Sequence, residues 1–462
     1  MNFTDKYTKA FKYLLPAPFT IAIILTIITF LIAFIATRPA TEGITSYSIQ
    51  LLKYWEQGLW NNNLLVFAIQ MMLMLVLGHV LALTKPVNSI INLSVRSCNN
   101  TAKAAALVTL LTIMVALFNW GLGLIFGAIF ARKVAEHATK LQIKMNYPII
   151  GAAGYSGLMV WHGGFSGSSL AKVAEPGHLR SMMTDIIPYE KITSLPESIS
   201  YAETVFSSMN ICVTLMLLII LPLAMYWMGK RTTNSTQNVS NNQFEEEPSK
   251  LEGAEKLDHS KLFSWFFGGV ILIYVGYKIA LDYNYDLGTF FTPNNINLLL
   301  LALAITLHKS FFKFLKAIDK AIAGASGILI QFPLYFGIMG IMKNSGLVTD
   351  ISAFFVEISN ETTYPIFTFL SAGLVNIFVP SGGGQWAVQG PIIVQAATDL
   401  GISLPKSIMA LAYGDQLTNM LQPFWALPLL GITGLKAKEI LPYTLFLMLI
   451  GTVIYITGLL VF

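Results

Sequence analysis

The stretch Asn376-Ile-Phe-Val-Pro-Ser-Gly-Gly-Gly-Gln-Trp-Ala-Val-Gln-Gly-Pro391 lies between two apolar runs in the last quarter of the sequence. Its small residues, Ser381 to Gly384, are too flexible to favour one uninterrupted helix. Inside a membrane, irregular backbone is tolerated only where it is buried in protein or lines a watery cavity. Four small residues followed by Gln385 offer free N–H groups and room for a ligand. The stretch therefore predicts a binding site within the bilayer, and hence a transporter.

The composition agrees with a membrane protein. Of the 462 residues, 55% are hydrophobic and 11% are charged, against roughly 25% charged residues in average soluble domains. Several apolar runs reach the roughly 20 residues that cross the hydrocarbon core. The first run, 16–37, follows Lys6, Lys9 and Lys12 and lacks a clear cleavage site, so we expect it to be a retained helix. These features predict an all-α polytopic membrane protein.

Lysine and arginine in the loops give the predicted orientation, with the N-terminus inside and the C-terminus outside. Two apolar stretches have flanks that indicate the same side of the membrane at both ends. Each should therefore enter the membrane and return to the same face as a re-entrant hairpin, one from each face. Two further helices are interrupted, at Trp161-His-Gly-Gly164 and near Gln422-Pro423. Besides the two hairpins, we expect about nine membrane crossings. The predicted elements are hairpins 104–131 and 362–399 and broken helices 147–174 and 405–433.

The two halves of the chain show a faint internal similarity. Asn119 and Asn376 precede the two predicted hairpin tips, and Phe165 and Phe424 follow the two helix breaks at a nearly equal offset. Because the flanking charges are opposite, the similarity predicts an inverted repeat, which is common among secondary transporters. The expected organisation is a first half over 1–228, a polar cytoplasmic linker over 229–260, and an extra crossing helix with the second half over 261–462.

Three motifs carry a resemblance to a known family. They are Val379 to Pro391, Asn119-Trp-Gly-Leu-Gly123, and the segment from Tyr155 to Ser168. Together they resemble the bacterial short-chain fatty acid transporters, a family within a larger ion-transporter superfamily. The resemblance implies import of butyrate, acetoacetate and related monocarboxylates across the inner membrane by symport with H+ or Na+. It also implies elevator-like motion and a dimeric scaffold, so we expect a homodimer in the lipid bilayer, with no nucleic acid as partner and no cofactor.

A short fatty acid has one carboxylate, which suits the N–H groups at a helix N-terminus. The return helix of the second hairpin is expected to start near Gln385 and to present the glycines before it. The first tip would do the same from the opposite side. An alternative is that these glycines only permit close helix packing. The predicted substrate-binding residues are Asn119, Gly121, Gly123, Ser381, Gly382, Gly383, Gly384, Gln385, Asn419 and Gln422.

Asp415 is the first candidate for a cation or proton site. A carboxylate at membrane depth costs roughly 2.5–3.5 kcal/mol and is usually functional. On a continuous helix, Asp415 would share one face with Asn419 and Gln422. The alternatives are a structural partner role for Asp415 and an ordinary hydrogen-bonding role for His162. The predicted coupling residues are Asp415, Asn376, Ser156 and His162, and no Cys/His cluster has metal-ligand spacing.

Other functions fit the sequence less well. A carrier of dicarboxylates or another organic anion is the main alternative, although no arginine falls in a predicted core segment facing the tips. A membrane-embedded acyltransferase using His162 as a base would need a second catalytic group. ATP-driven transport is disfavoured because the glycine-rich segment 121–127 lacks the Lys-Ser/Thr of a phosphate-binding loop. A channel is a further possibility, but hairpins that enter from opposite faces favour alternating access. We therefore expect a transporter and not an enzyme.

Overall fold

The computed structural model describes residues 16–86, 89, 95, 97–184, 188–232, 253–282, 290 and 292–462. Within these ranges every regular element is helical. The predictions that concern Lys6, Lys9, Lys12 and most of the linker 229–260 lie outside the described residues.

The α-helices are numbered here in chain order. They are α1 (Pro18–Ala36), α2 (Ile44–Leu59), α3 (Asn62–Ala82), α4 (Thr101–Phe118), α5 (Trp120–Lys140), α6 (Tyr147–Tyr155), α7 (Ser168–Ala174), α8 (His178–Met183), α9 (Tyr189–Ser194), α10 (Ser208–Arg231), α11 (Glu255–Asp258), α12 (Lys261–Tyr277), α13 (Pro293–His308), α14 (Phe311–Ala321), α15 (Ser326–Asn344), α16 (Leu347–Glu357), α17 (Tyr364–Phe378), α18 (Gly382–Asp399), α19 (Leu404–Thr418), α20 (Pro423–Thr433) and α21 (Ala437–Val461).

Seven helices in the described part of the chain are long and apolar enough to cross a membrane: α1, α3, α4, α10, α12 with its extension to Asp282, α15 and α21. Three shorter apolar helices are α13, α17 and α20. All of these seven long helices except α4 coincide with predicted crossings, which accounts for six of the nine. The shorter helix α13 is another predicted crossing, and the two broken helices are the last two. Helix α4 is one arm of a hairpin. The prediction of a multi-pass helical membrane protein is confirmed.

Hairpin 1 consists of α4 and α5, which are joined at Asn119 in an extended conformation (φ −151°, ψ 126°). Gly123 approaches Ala116, and Gly127 approaches Thr112, so the two arms run antiparallel. The hairpin covers 101–140 and is longer than the predicted 104–131. The prediction stopped at the basic residues Arg132 and Lys133, whereas helix α5 continues through them because straight-chain lysine and arginine favour helix.

Hairpin 2 consists of α17 and α18. The Nε2 of Gln385 donates to the carbonyl of Ala372 at 2.8 Å, and the hydroxyl of Tyr364 donates to the carbonyl of Ile393 at 2.8 Å, so these arms are also antiparallel. The return helix begins at Gly382 and not near Gln385 as predicted. The low helix propensity of glycine costs most in a helix interior, so these glycines are tolerated in the first turn.

The two broken helices are interrupted at the predicted places but over different lengths. Broken helix 1 is α6, two 3-10 turns over Ser156–Met159 and Trp161–Gly163, and α7. Broken helix 2 is α19, a 3-10 turn over Asn419–Leu421, and α20. Pro423 ends the turn because it restricts the preceding residue to extended backbone. The expectation that Asp415, Asn419 and Gln422 share one α-helical face is therefore wrong, since the α-helix stops at Thr418.

The broken helices cross each other in opposite directions. Tyr147 donates to the carbonyl of Thr433 at 2.9 Å, and eight residues later Tyr155 contacts the carbonyl of Gln422 at 2.9 Å. The return arm α5 packs against α20, and the return arm α18 packs against α7. Each hairpin packs against the broken helix of its own half and also contacts that of the other half. These reciprocal contacts and the antiparallel crossing agree with the predicted inverted repeat; the exact domain boundaries stay predictions.

Candidate functional site

The centre of the crossing holds a buried pair of ionisable side chains. The Nδ1 of His162 lies 2.7 Å from the Oδ2 of Asp415, and the two side chains are 0% and 1% exposed. Asp415 is in the last turn of α19, and His162 is in the second 3-10 turn of broken helix 1. The two helix breaks therefore bring together residues that lie 253 positions apart in the sequence.

The tautomer of His162 follows from its neighbours. Its Nε2 accepts the main-chain N–H of Ser169 at 3.1 Å and lies 2.9 Å from the Ser169 hydroxyl. A main-chain N–H can only donate, so Nε2 must keep its lone pair. A neutral His162 therefore carries its hydrogen on Nδ1, which faces Asp415. Nothing in the sequence singled out Ser169, because only the fold brings it back onto the ring.

Asp415 has little else to balance its charge. Among the described residues, neither of its carboxylate oxygens accepts a hydrogen bond of good geometry, and the close contact with His162 lies outside that geometry. A buried carboxylate without donors is costly and is normally neutralised or paired with a cation. The position of Asp415 therefore fits a group that takes up a proton or a cation.

Hairpin 2 is tied directly to this break. The Nδ2 of Asn376 lies 2.8 Å from the carbonyl of Asp415 and 2.8 Å from the Oδ1 of Asn419. The Nε2 of Gln422 donates to the carbonyls of Asn376 and Ile377 at 2.6 and 2.9 Å. The Oδ1 of Asn376 and the Oε1 of Gln422 are buried without a hydrogen-bond donor from the described residues. These amide oxygens and the Asp415 carboxylate are the ligand types that a hard cation prefers.

The tip of hairpin 2 adjoins the same pair. A Cβ atom at Gly382 would lie 3.0 Å from the Oδ2 of Asp415, 3.0 Å from the His162 ring and 2.9 Å from the Trp161 ring. The position thus has no room for a side chain. Gly383 is different, since it is exposed and a Cβ there would meet nothing within 4 Å.

The first N–H groups of α18 are available to a ligand. The Oγ of Ser381 accepts the N–H of Gly384 at 3.2 Å, and the Ser381 carbonyl accepts that of Gln385 at 2.7 Å. The N–H groups of Gly382 and Gly383 have no acceptor in the described part of the chain. Aligned peptides give this end of an 18-residue helix roughly half a positive charge. The tip is therefore suited to an anion.

The tip of hairpin 1 is arranged differently. The Oδ1 of Asn119 accepts the N–H of Leu122 at 3.0 Å, and the Oγ of Ser166 accepts that of Trp120 at 2.9 Å. A Cβ at Gly121 would lie 2.6 Å from the Met74 sulfur, and one at Gly123 would lie 2.6 Å from the Ala116 Cα. The geometry thus gives both glycines packing contacts, and their predicted binding role stays a prediction.

Two other residues predicted to belong to the site, Gln385 and Ser156, are buried and hydrogen-bonded within the protein. The Nε2 of Gln385 donates to Ala372 and to the Oε1 of Gln389 at 2.7 Å, so its amide joins the arms of hairpin 2. The hydroxyl of Ser156 donates to the carbonyl of Ala153 at 2.7 Å within its own turn. Both side chains are buried, and neither contacts Asp415 through a hydrogen bond.

The unwound backbone at the crossing is supported from both halves. The Oε1 of Gln416 accepts the N–H groups of His162 and Gly163 at 2.8 and 3.2 Å, and its Nε2 donates to the Tyr455 hydroxyl at 2.9 Å. Tyr455 in turn donates to the carbonyl of Met159. Buried backbone groups need such partners. The breaks are therefore held in a fixed geometry.

Comparisons with known proteins identify the family of this chain. Residues 2–462 match the family described as Short chain fatty acid transporter. A protein of Escherichia coli (strain K12), provisionally named a short-chain fatty acid transporter, is 36% identical over 97% of this chain and 96% of its own length. A protein of Haemophilus influenzae (strain ATCC 51907 / DSM 11121 / KW20 / Rd) with the same provisional name is also 36% identical, over 97% of this chain and 96% of its own.

Two solved structures are more distantly similar. The Alcanivorax borkumensis YdaH transporter, reported to have an unusual topology, matches 96% of this chain and 97% of its own with a TM-score of 0.46 and 14% identity. Neisseria gonorrhoeae MtrF, described within a class of antimetabolite efflux pumps, matches 98% and 97% with a TM-score of 0.44 and 13% identity. Our conclusion depends on the family match and the sequence relatives. The chain is a multi-pass membrane transporter, not an enzyme, and it belongs to the short-chain fatty acid transporter family.

Proposed function

We propose that this chain imports short-chain monocarboxylates, of the butyrate and acetoacetate type, together with a cation across the bacterial cytoplasmic membrane. One observation carries the proposal. The open N-terminus of α18 lies directly beside the buried pair of Asp415 and His162. The proposed anion and cation sites are thus adjacent, an arrangement that would couple the binding of substrate and ion as symport requires.

The substrate carboxylate would bind at the N–H groups of Gly382 and Gly383. These groups are not used within the described protein, and the space beside Gly383 is open. The ring of Trp161 lies next to Gly382 and offers an apolar surface for a short acyl tail. A single helix N-terminus matches a single carboxylate. This match favours a monocarboxylate over a dicarboxylate.

The coupling ion would bind between the substrate and Asp415. Two negative charges close together in a poorly solvated site repel each other strongly. A proton on Asp415, or a sodium ion held by its carboxylate with the free oxygens of Asn376 and Gln422, would offset that repulsion. Substrate and cation would therefore bind cooperatively. The inward cation gradient would also offset the electrical cost of importing an anion, about 2.3 kcal/mol per 100 mV.

Alternating access fits the way the two broken helices are joined. Tyr155 and Gln416 link them across the crossing, so the site is built from both halves at once. A site held this firmly suits rigid movement of the whole unit, as in an elevator-like mechanism, within a homodimer. The proposed orientation places the N-terminus inside the cell and the C-terminus outside.

The test is uptake of labelled butyrate and acetoacetate into proteoliposomes, with a proton or a sodium gradient imposed separately. We expect accumulation with one gradient and not with the other, which identifies the ion. Excess unlabelled succinate is the control competitor and should leave uptake unchanged. If succinate competes and butyrate does not, the chain carries dicarboxylates. If folded, inserted protein accumulates neither acid under either gradient, the proposed substrate class is wrong.

A further inference from the structure

Helix α14 connects two apolar helices on one side of the molecule. Lys309 has a left-handed backbone (φ 63°) at the end of α13 and turns the chain. The Oγ of Ser310 then accepts the N–H of Lys313 at 3.3 Å and begins α14. Four residues separate the end of α14 from the start of α15, a candidate membrane span.

One face of α14 packs on the protein, and another carries exposed apolar side chains. Phe314, Ala317 and Ala321 are buried, and the helix contacts α3. On the outer edge, Leu315 is 56% exposed, and Ile322, just past the helix, is 54% exposed. Exposed leucine and isoleucine next to membrane spans are best covered by acyl chains.

The lysines of α14 lie together on a third side. Lys313, Lys316 and Lys320 are three and four residues apart, so they share one face of the helix. Phe312 lies at the border between this face and the apolar edge, with the Nζ of Lys316 at 5.7 Å from its ring centre. Long lysine side chains keep the stem on apolar surface and the ammonium in the polar layer.

Neighbouring elements place α14 at the level where membrane helices end. The ring of His259, just before α12, stacks on Phe312 with a centroid distance of 4.3 Å. Phe267 in α12 contacts Phe311 at 6.3 Å. The start of α12, the end of α13 and the start of α15 are thus all near α14. Because apolar membrane helices begin and end at the bilayer surface, α14 lies in the headgroup layer.

We infer that α14 is a binding surface for anionic phospholipids, with the apolar edge among the acyl chains and the three lysines on the phosphates. Interfacial helices of this type combine burial of apolar area with attraction to anionic lipids. Helix α2 offers a comparison, since it precedes α3 as α14 precedes α15. It also has an exposed leucine, Leu52, but it carries one lysine and one glutamate, Lys53 and Glu56, whereas α14 carries three lysines and one aspartate, Asp319.

The test measures binding of phosphatidylglycerol and of phosphatidylcholine to the purified, delipidated full chain. The variant K313Q/K316Q/K320Q should bind phosphatidylglycerol roughly 100-fold more weakly, since each lysine near an anionic surface contributes roughly fivefold. Its affinity for phosphatidylcholine should not change. The variant K313R/K316R/K320R keeps the charges and should retain the wild-type affinity, which separates loss of charge from damage to the helix.

The matched control is K140Q/K144Q/K438Q, which removes the same charge from other helix ends. It should bind phosphatidylglycerol as the wild type does. Equal weakening in the two glutamine variants would overturn the inference, because the whole basic surface would then be responsible. Unchanged binding in K313Q/K316Q/K320Q, or a parallel loss for phosphatidylcholine, would overturn it as well.

Discussion

The two hairpin tips occupy equivalent places in the two halves, yet their first N–H groups have different partners. At the first tip, Asn119 and Ser166 accept the N–H groups of Leu122 and Trp120. At the second, Ser381 accepts the N–H of Gly384 and leaves those of Gly382 and Gly383 without an acceptor among the described residues. The N–H of Gly121 also lacks an acceptor among the described residues, but this position is buried against Met74. The first tip is therefore covered by the protein, whereas the second has two free N–H groups and open space beside Gly383.

The surroundings of the glycines differ in the same sense. Gly121 and Gly123 are packed against Met74 and Ala116, whereas Gly383 faces open space. Similar hairpins thus have different surroundings at their tips, and we propose a ligand site only at the second. The difference lies in the side chains that approach each tip from neighbouring elements, and not in the glycine content of the tip.

The largest effect is expected from Asp415→Asn, which removes the charge beside the open tip. Without a group that takes up the proton or cation, substrate binding is no longer linked to the gradient. We therefore expect gradient-driven accumulation of butyrate in proteoliposomes to fall to the passive level. The matched variant is Glu136→Gln, which changes a buried carboxylate on the return arm of hairpin 1, where it pairs with Arg132 and Lys133.

The comparison of the tips predicts that Glu136→Gln still accumulates butyrate, provided that its thermal stability is sufficient for reconstitution. If Asp415→Asn accumulates butyrate as the wild type does, Asp415 is only a structural partner of His162. If both variants lose accumulation while remaining folded, coupling is spread over both halves and the contrast between the tips is wrong.

The second prediction compares two adjacent glycines of the open tip. Gly382→Ala places a methyl group 3.0 Å from Asp415 and the His162 ring, while Gly383→Ala meets open space. Overpacking of this kind lowers folding stability by about 1–3 kcal/mol. Gly383→Ala should unfold at nearly the wild-type temperature. Thermal unfolding of the purified variants checks both, and equal stabilities would show that the surroundings of Gly382 move to accommodate a methyl group.

The third prediction compares the caps of the two return helices. Ser381→Ala and Asn119→Ala each remove a side-chain oxygen that accepts an N–H of the first turn. Either loss should lower stability by about 0.5–2 kcal/mol. Only Ser381→Ala should also raise the KM for butyrate, because the free N–H groups of that tip adjoin open space, whereas Gly121 is buried against Met74. Thermal unfolding and uptake kinetics check the pair, and a KM change in Asn119→Ala alone would reverse the assignment.

The sequence predicted the elements better than the contacts between them. Glycine density and the charge of the flanks located both hairpins and the first break, the Gln422-Pro423 pair located the second break, and a lone carboxylate in an apolar run made Asp415 a candidate. The contact between Asp415 and His162 joins residues from separate halves, and so does the support that Gln416 gives to the second 3-10 turn. No local pattern encodes such long-range contacts.

The two hairpin tips also depend on contacts that a local sequence pattern does not encode. Both have a polar residue followed by glycines, so the sequence predicted the same role for both. That Gly123 packs against Ala116 and that Ser166 caps Trp120 depends on how the arms and the broken helix meet. The role of a glycine-rich tip therefore requires the identity of its neighbours, which a single sequence does not supply.

The smallest expected effect concerns one side-chain hydrogen bond that joins each return arm to a neighbouring element. In α5 the Nη1 of Arg132, which stays charged at all ordinary pH values, donates to the carbonyl of Ile432 at 2.7 Å. In α18 the indole N–H of Trp386 donates to the Nε2 of His178 at 3.0 Å. Protonation of His178 removes this acceptor. Only the contact at hairpin 2 should therefore depend on pH.

The sign of this dependence follows from the pKa of His178. Burial lowers that pKa below its usual value of 6.5, with Glu175 raising it and Lys172 lowering it to smaller degrees. The neutral ring is thus favoured in the folded protein, and its stabilising contribution is complete above pH 6.5 and declines as the pH falls below it. His178→Gln has no titrating ring, so its melting temperature should fall less on acidification than that of the wild type. Identical pH profiles for the two proteins would show that the Trp386 contact contributes nothing to holding hairpin 2.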